Sequence, residues 1–372
     1  MALFVALVAL PLLGHAPNRL MNGRSIGIGE FPMAASAILV AAAFALSAAA
    51  VLPQRRSVLA SVLVAGLIVP GVYLWGAGLE ADALERASSP IARTSLGAAG
   101  WIALLIGFLA AGEAVRRLKL APAWRAFVLL LAIGPSAWLA ASGRLDDLAI
   151  LKEFHSNREL FARSLAQHGI IVLAAFVPAL VIGIPLGLVS HRAPRLRAPL
   201  LSLLGVIQTI PSIALFGLLI APLSSLAATF PWLAAIGVHG VGLAPAAVAL
   251  ALYALLPIVR NTGEGVAQVS PAAIDAATGM GLSRGQILIR IEVPLALPVI
   301  LSGVRISLVQ TIGLAAVAAL IGAGGLGAIM FQGLFASAGG LILLGVAPIV
   351  ALAIVVDILF RLLAALPRRT PT

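Results

Sequence analysis

The sequence predicts an all-α polytopic membrane protein of about ten transmembrane helices. Composition, the spacing of apolar runs and the sorting of charge between loops each lead there. Of the 372 residues, 62% are hydrophobic and only 10% charged, with a mean hydropathy of +1.13, whereas a soluble domain carries about a quarter charged residues. A chain this apolar cannot be enclosed in one aqueous core, so a bilayer is its solvent. Apolar runs fall near 1–13, 34–52, 57–79, 97–112, 126–142, 167–190, 199–221, 232–258, 296–321 and 341–366. Most reach the about 20 residues that cross about 30 Å of hydrocarbon as helix. The run at 1–13 is the shortest. It lacks a basic leader and a small-residue cleavage site, so it reads as a membrane anchor and not as a signal peptide.

The formal charge of +11 suggests nucleic acid only until the charges are placed. One set of alternate loops and ends receives Arg55, Arg56, Arg116, Arg117, Lys119, Arg125, Arg192, Arg195, Arg197, Arg260, Arg284, Arg290, Arg361, Arg368 and Arg369. Against these fifteen stand Glu113, Glu264, Asp275 and Glu292. The other set holds eight basic and eight acidic residues and is neutral. A one-sided excess of this kind marks a cytoplasmic surface, which places both termini in the cytoplasm. The chain has no cysteine, so disulfides, thiolate metal sites and cysteine nucleophiles are excluded.

The chain divides near residue 160. Residues 1–160 read as an N-terminal transmembrane extension of about five helices without a polar motif. The stretch 143–164 reads as an extracytoplasmic connector with an amphipathic helix. Residues 161–372 are richer in Gly, Pro, Ser and Thr, and Pro178, Pro185, Pro211 and Pro245 interrupt their helices.

Within IGAGGLGAIM, Gly322, Gly324 and Gly327 spell G-x-G-x-x-G, the spacing of a dinucleotide-binding turn. The context is wrong for one. A membrane span precedes it, and no Asp or Glu lies between Glu292 and Asp357 to hold a ribose. Glycines at this density serve helix ends and close backbone approach, and an outer gate that includes Gly324 and Gly325 is the functional expectation.

SPAAIDAATGMGLSRGQILIRIEVP, residues 270–294, carries more information. Ser270 caps a helix that opens on Pro271 and ends around Gly279 and Gly281. Ser283 caps a second helix, with Gln286 completing a capping box and Pro294 stopping it. Each is shorter than the roughly 12 residues needed for independent stability, so both must dock on something. Ala272, Ala273, Ala276 and Ala277 offer a smooth knob to a partner's cleft; packing back on the chain's own spans is the structural alternative.

This stretch resembles the cytoplasmic loop of permease subunits of binding-protein-dependent ABC importers, written E-A-A, three residues, G, nine residues, I-x-L-P. Here it is Asp275-Ala276-Ala277, then Gly281, then Ile291-Glu292-Val293-Pro294, with the spacing complete and two mild changes of letter. Further stretches at 208–223, 253–262, 280–288 and 292–307 are similar to the glycine betaine, carnitine, choline and proline branch, over about 164–366. The extra spans before them resemble the longer permeases of that branch. The resemblance implies a type I permease core at 161–372, with 260–294 as its coupling loop. Asp275, Ala276, Ala277, Gly279, Gly281, Ser283 and Arg284 would contact an ABC ATPase subunit. It further implies a permease homodimer in the bacterial inner membrane and an extracytoplasmic substrate-binding protein.

Residues inside or beside spans are candidates for the pathway or gate: Gln208, Thr209, Pro211, Ser212, Asn261 and Gln310. For the group at 208–212 the alternative is a satisfied interhelical hydrogen bond, worth about 1 kcal/mol. Arg305 reads as a snorkelling cation, and Asp357 pairs with Arg361 at i, i+4. His168 and His239 read as ordinary polar residues. No catalytic triad, paired-carboxylate cleft or Walker G-x-x-x-x-G-K-S/T occurs, and neither lysine, Lys119 or Lys152, follows a glycine loop. ATP and Mg therefore belong to a separate chain, and this one binds no cofactor or nucleic acid. The rival readings are an ABC permease for an amino acid or other small solute, an ion-coupled secondary transporter and a membrane scaffold. A secondary transporter wants acidic or histidine relays at mid-membrane; only Asp357 lies in a span of the second half.

Overall fold

The computed structural model describes residues 1–18, 21, 23–89 and 91–365. Arg19, Arg368 and Arg369 of the charge pattern, and position 366 at the end of the last run, lie outside the described residues. The chain forms two compact units, one of Met1–Asn157 with Gly333–Leu341, the other of Arg158–Gln332 with 342–365. Eight helices among the described residues are long and apolar enough to cross a membrane, and Phe127–Ala141 and Leu326–Phe335 are shorter apolar helices.

The first unit runs α1 (Ala2–Ala9), β1 (Leu13–Ala16), β2 (Arg24–Ile26), α2 (Met33–Val51), α3 (Arg56–Ala87), β3 (Arg93–Leu96), α4 (Ala98–Leu118), α5 (Pro122–Ala141) and α6 (Ala149–Ser156). The apolar run at 1–13 is not a helical span. Its helix has eight residues, about 12 Å of rise, because Pro11 supplies no N–H and disfavours helix at Leu10. The chain continues extended, and its carbonyls find partners within the protein. Gly97 N and the Tyr73 hydroxyl donate to Leu12 O at 2.8 and 2.9 Å, and Ala99 N donates to Pro11 O at 2.9 Å. Tyr73 is fully buried and stacks on Phe31. A Cβ at Gly100 would overlap its hydroxyl and Cζ. Small residues likewise let α3 meet α4: a Cβ at Gly66 would lie 2.8 Å from Gly107 O.

A three-stranded antiparallel sheet, order β2-β1-β3, departs from the all-helical expectation. Its strands have three or four residues, too few to show an alternating pattern. The register pairs His15 with Thr94, and His15 Nδ1 lies 3.0 Å from Thr94 Oγ1. Lys152 of α6 pairs with Glu85, and Arg93 reaches the buried Glu153 at 3.1 Å. Burial first, and then the positive Lys152, hold the His15 imidazole below its ordinary value. The 143–164 connector contains the expected short helix, α6, but the next helix begins already at Arg158.

The second unit runs α7 (Arg158–Arg192), α8 (Pro194–Thr209), α9 (Ser212–Thr229), α10 (Pro231–Ala235), α11 (Leu243–Ala267), α12 (Pro271–Gly279), α13 (Arg284–Ile287), a π-helical turn at Leu288–Glu292, α14 (Val293–Leu314), a 3₁₀ turn at Val317–Ile321, α15 (Leu326–Phe335) and α16 (Gly339–Ala365). Of the four prolines expected to interrupt helices, only Pro211 does so, dividing the run 199–221 into α8 and α9. Pro178 and Pro185 sit inside an unbroken α7, and Pro245 falls in the first turn of α11, where no donor is needed. Helices α7 and α11 pack together through small residues. Gly187 and Ser190 face Thr262 and Gly263, and a Cβ at Gly263 would come within 2.8 Å of Ser190 Oγ.

Two outcomes are expected from this packing. Gly100→Val should cost roughly 1–3 kcal/mol by overpacking against Tyr73, read as a lower unfolding temperature of the purified chain, whereas Gly112→Val, where a Cβ meets nothing within 4 Å, should change it little. An unfolded histidine protonates near pH 6.5 while folded His15 stays neutral to lower pH, so the unfolded state binds the extra proton and stability falls as pH drops below about 6.5. His15→Gln should flatten the fall of unfolding temperature between about pH 7.5 and 5.5.

Candidate functional site: a capped loop and a polar seam

The loop after α11 folds as its caps dictate. Ser270 Oγ accepts from Ala273 N at 3.3 Å, and Pro271 takes the first helical position of α12. The helix ends where Gly281 turns left-handed at φ +78°. Gly281 N then bonds Thr278 O at 2.9 Å and Leu282 N bonds Ala277 O at 3.2 Å, the paired closure of a glycine-ended helix. Ser283 and Gln286 form the reciprocal capping box, at 2.8 and 3.4 Å.

Two features depart from the expectation. Pro294 does not stop the second helix. Val293 N instead bonds Leu288 O, five residues back, and α13 passes through the π turn into α14, whose first turn accommodates Pro294. The small-residue face also divides: Asp275, Ala276, Gly279, Gly281, Ser283 and Arg284 are exposed, while Ala277 is fully buried and, with Ile287, roots the loop. Asp275 and Arg284 make no ion pair among the described residues.

Two ion pairs brace the loop's base. Arg192, at the end of α7, bonds Glu292 of the π turn at 3.0 Å, and Glu292 is buried. Arg197 of α8 bonds Glu264 of α11 at 2.5 Å. Neither pair was legible in the sequence, whose separations of 100 and 67 residues hide them.

Three of the candidate pathway residues, Gln208, Thr209 and Asn261, bond backbone carbonyls. Pro257 lacks the N–H that would bond Tyr253 O, and Gln208 Nε2 donates to that carbonyl at 2.8 Å. The Tyr253 hydroxyl in turn bonds Ile210 O, at the break before Pro211. Gln208 is thus an interhelical staple between α8 and α11, beside the Pro211 break. Thr209 bonds Val206 O at 2.7 Å in its own helix, and Asn261 bonds Pro257 O at 2.9 Å beside Gly303. Ser212 and Gln310 are half-buried. Ser307, which the sequence reading missed, donates to Ala254 O at 2.7 Å.

At the other end of these helices, Gly322, Gly324 and Gly325 all adopt left-handed φ of 78–80°, the conformation that selects glycine. Ile321 O accepts from Gly242 N at 2.8 Å and Ala323 O from Gln167 at 3.2 Å, tying the turn to α11 and α7. A Cβ at Gly327 would overlap Ala316 O. His168, read from the sequence as an ordinary polar residue, is fully buried beneath this turn. Its Nε2 lies 3.2 Å from Ile312 O, a carbonyl left over where α14 ends because Ala316 N turns to Gly313 O. His239, by contrast, is exposed. Arg305 does not simply snorkel: its Nη1 lies 3.2 Å from Asp357, which also accepts from Arg361 at 2.7 Å.

Residues 179–369 match the family described as binding-protein-dependent transport system inner membrane component, and residues 1–151 match the ABC transporter permease YehY N-terminal domain. Among curated relatives, the osmoprotectant import permease protein OsmW of Salmonella typhimurium is 44% identical over 191 residues, 51% of this chain and 84% of that protein. The carnitine transport permease protein OpuCB of Listeria monocytogenes is 36% identical over 56% of this chain and 88% of that one. The glycine betaine/carnitine/choline transport system permease protein OpuCD of Bacillus subtilis is 34% identical over 52% and 77%. Among solved structures, the inward-facing MetNI methionine ABC transporter aligns at 22% identity and a TM-score of 0.49, over 57% of this chain and 98% of that one.

Breaking the brace has a defined expectation. Arg192→Gln leaves the Glu292 carboxylate buried without its counter-charge and should cost about 1–2 kcal/mol, less than a fully buried pair because Arg192 is half exposed. It should also speed proteolysis at 270–287. The exchange Arg192→Glu with Glu292→Arg should recover most of both losses.

Proposed function

Because the chain belongs to the binding-protein-dependent transport system inner membrane component family, and is therefore a multi-pass permease subunit, we propose that it imports a quaternary-ammonium osmoprotectant of the glycine betaine or choline kind. The substrate class rests on the relatives named above. A separate ATPase chain supplies the energy, an extracytoplasmic binding protein delivers the solute, and two copies of the permease enclose the pathway. The basic loops and both ends of the chain face the cytoplasm.

One observation carries the reading. The loop at 270–287 is held in shape by its own caps and by the buried Ala277 and Ile287, yet offers Asp275, Ala276, Gly279 and Arg284 outward. A small, pre-shaped projection with uncommitted charges fits a partner's groove. Its continuity through the π turn into α14 supplies a lever from that groove to a span. Glu264 and Asp275 have distinct work in this scheme: the first fixes the base to α8, the second faces the motor. An ion-driven carrier is disfavoured by the same geometry, since Asp357 is neutralised by two arginines.

Vesicles containing the permease, its ATPase and its binding protein should accumulate glycine betaine or choline only with ATP inside. Ala276→Cys should crosslink to the ATPase, whereas Ala277→Cys, facing inward, should not. Ala276→Trp should lower uptake at least about tenfold, the cost of about 1.4 kcal/mol or more at a tight interface, with the amount of chain in the membrane unchanged. Uptake driven by an ion gradient without ATP would overturn the reading; uptake of amino acids in place of betaine would overturn only the substrate.

A further inference from the structure

At the basic end of the first unit, α1, α2, α3 and α4 border a cleft of about 430 Å³, within the ~300–1,000 Å³ range of small-ligand sites. The cleft is also lined by Met1, whose amino group donates to Ser47 Oγ. Its walls are apolar, with Leu46, Leu59, Val62 and Ile106. Its mouth is polar, formed by Gln54, Glu113 and Arg117. The acid there is already neutralised: Arg116 bonds Glu113 at 2.8 and 2.6 Å, and Arg117 bonds it at 2.5 Å. Arg117 also donates to Gln54 Oε1 at 3.2 Å, tying the approach to α3 against the end of α4.

Three further cations stand beside this tie. Arg55 and Arg56 follow Gln54 directly, and Lys119 follows Arg117 by two residues, held by a left-handed backbone at φ +50°. All three are exposed and have no acidic partner among the described residues. The positive-inside rule explains cations at a membrane face but does not explain an apolar slot lined by their chain neighbours Gln54 and Arg117. A slot that accepts hydrocarbon, with unpaired positive charge next in the chain to its polar lining residues Gln54 and Arg117, has one complementary ligand class.

We infer that this cleft binds an anionic phospholipid, its acyl chain against Leu46, Val62 and Ile106 and its phosphate headgroup at Arg55, Arg56 and Lys119. Basic clusters next to a span attract anionic headgroups, and the slot converts that diffuse attraction into a site. A zwitterionic lipid fills the slot equally well but leaves the cations without net counter-charge. The inference concerns the first unit alone and does not depend on the solute transported.

The test uses the purified full chain in detergent, titrated separately with dioleoylphosphatidylglycerol and dioleoylphosphatidylcholine, with bound lipid counted by native mass spectrometry. One phosphatidylglycerol per chain should be retained, at least about tenfold more tightly than phosphatidylcholine. Arg55→Gln, Arg56→Gln and Lys119→Gln together should weaken it roughly a hundredfold, while Arg55→Lys with Arg56→Lys retains it. Ala110→Trp, which fills the slot and leaves every cation in place, should also displace the lipid; if that variant does not fold, Ile106→Trp serves the same purpose. Equal affinity for the two lipids, or an unaffected triple-glutamine variant, would overturn the inference. So would phosphatidylglycerol binding that survives a filled slot, since the lipid would then lie on the bare cationic surface.

Discussion

A backbone carbonyl inside a hydrocarbon slab has no water to turn to, and this constraint organises the irregular parts of the molecule. At several points where a proline or a turn frees a main-chain oxygen, a side chain or a neighbouring N–H reaches it. Pro257 frees Tyr253 O and Gln208 takes it; the break before Pro211 frees Ile210 O and the Tyr253 hydroxyl takes that. Where α14 stops, His168 meets Ile312 O. Where the chain beyond α1 runs extended, Tyr73 and Gly97 meet Leu12 O. Polar residues in these spans therefore serve the fold first, and their presence alone is weak evidence for contact with a solute.

The same constraint decides what can be read from the sequence. The long apolar runs are legible because length and composition suffice to mark a helix that satisfies its own backbone. The caps at Ser270 and Ser283 are legible because each acts within four residues. Partners distant in the chain are not: Gln208 and Tyr253 are polar residues in separate spans until folding brings them together. The run at 1–13 misled for a related reason. Apolarity marks burial, whereas Pro11 decides the backbone, and the extended stretch survives only because a sheet and Tyr73 receive it. Arg305 reads as isolated in the sequence because Asp357 has a nearer partner in Arg361; in the fold one carboxylate serves both.

Charge in the second unit is divided between fixed and free. Glu292 and Glu264 are committed to Arg192 and Arg197. Asp275 and Arg284, a few residues away, are not. A loop assembled this way is stiff at its base and chemically unsaturated at its tip, the arrangement in which complementary charge on a partner adds specificity and speed of association more than raw affinity. The buried Ala277 shows how small residues serve both ends, packing close on one side while keeping the opposite side low.

The π turn at Leu288–Glu292 carries one residue more than a regular helix of the same height. Everything beyond it is therefore set about 100° out of phase with α13. A single helical wheel drawn through 284–314 assigns faces wrongly on one side or the other. In mechanical terms α13 and α14 resemble a crankshaft: two coaxial throws, angularly offset, so that a push along the first is delivered by the second in a different direction.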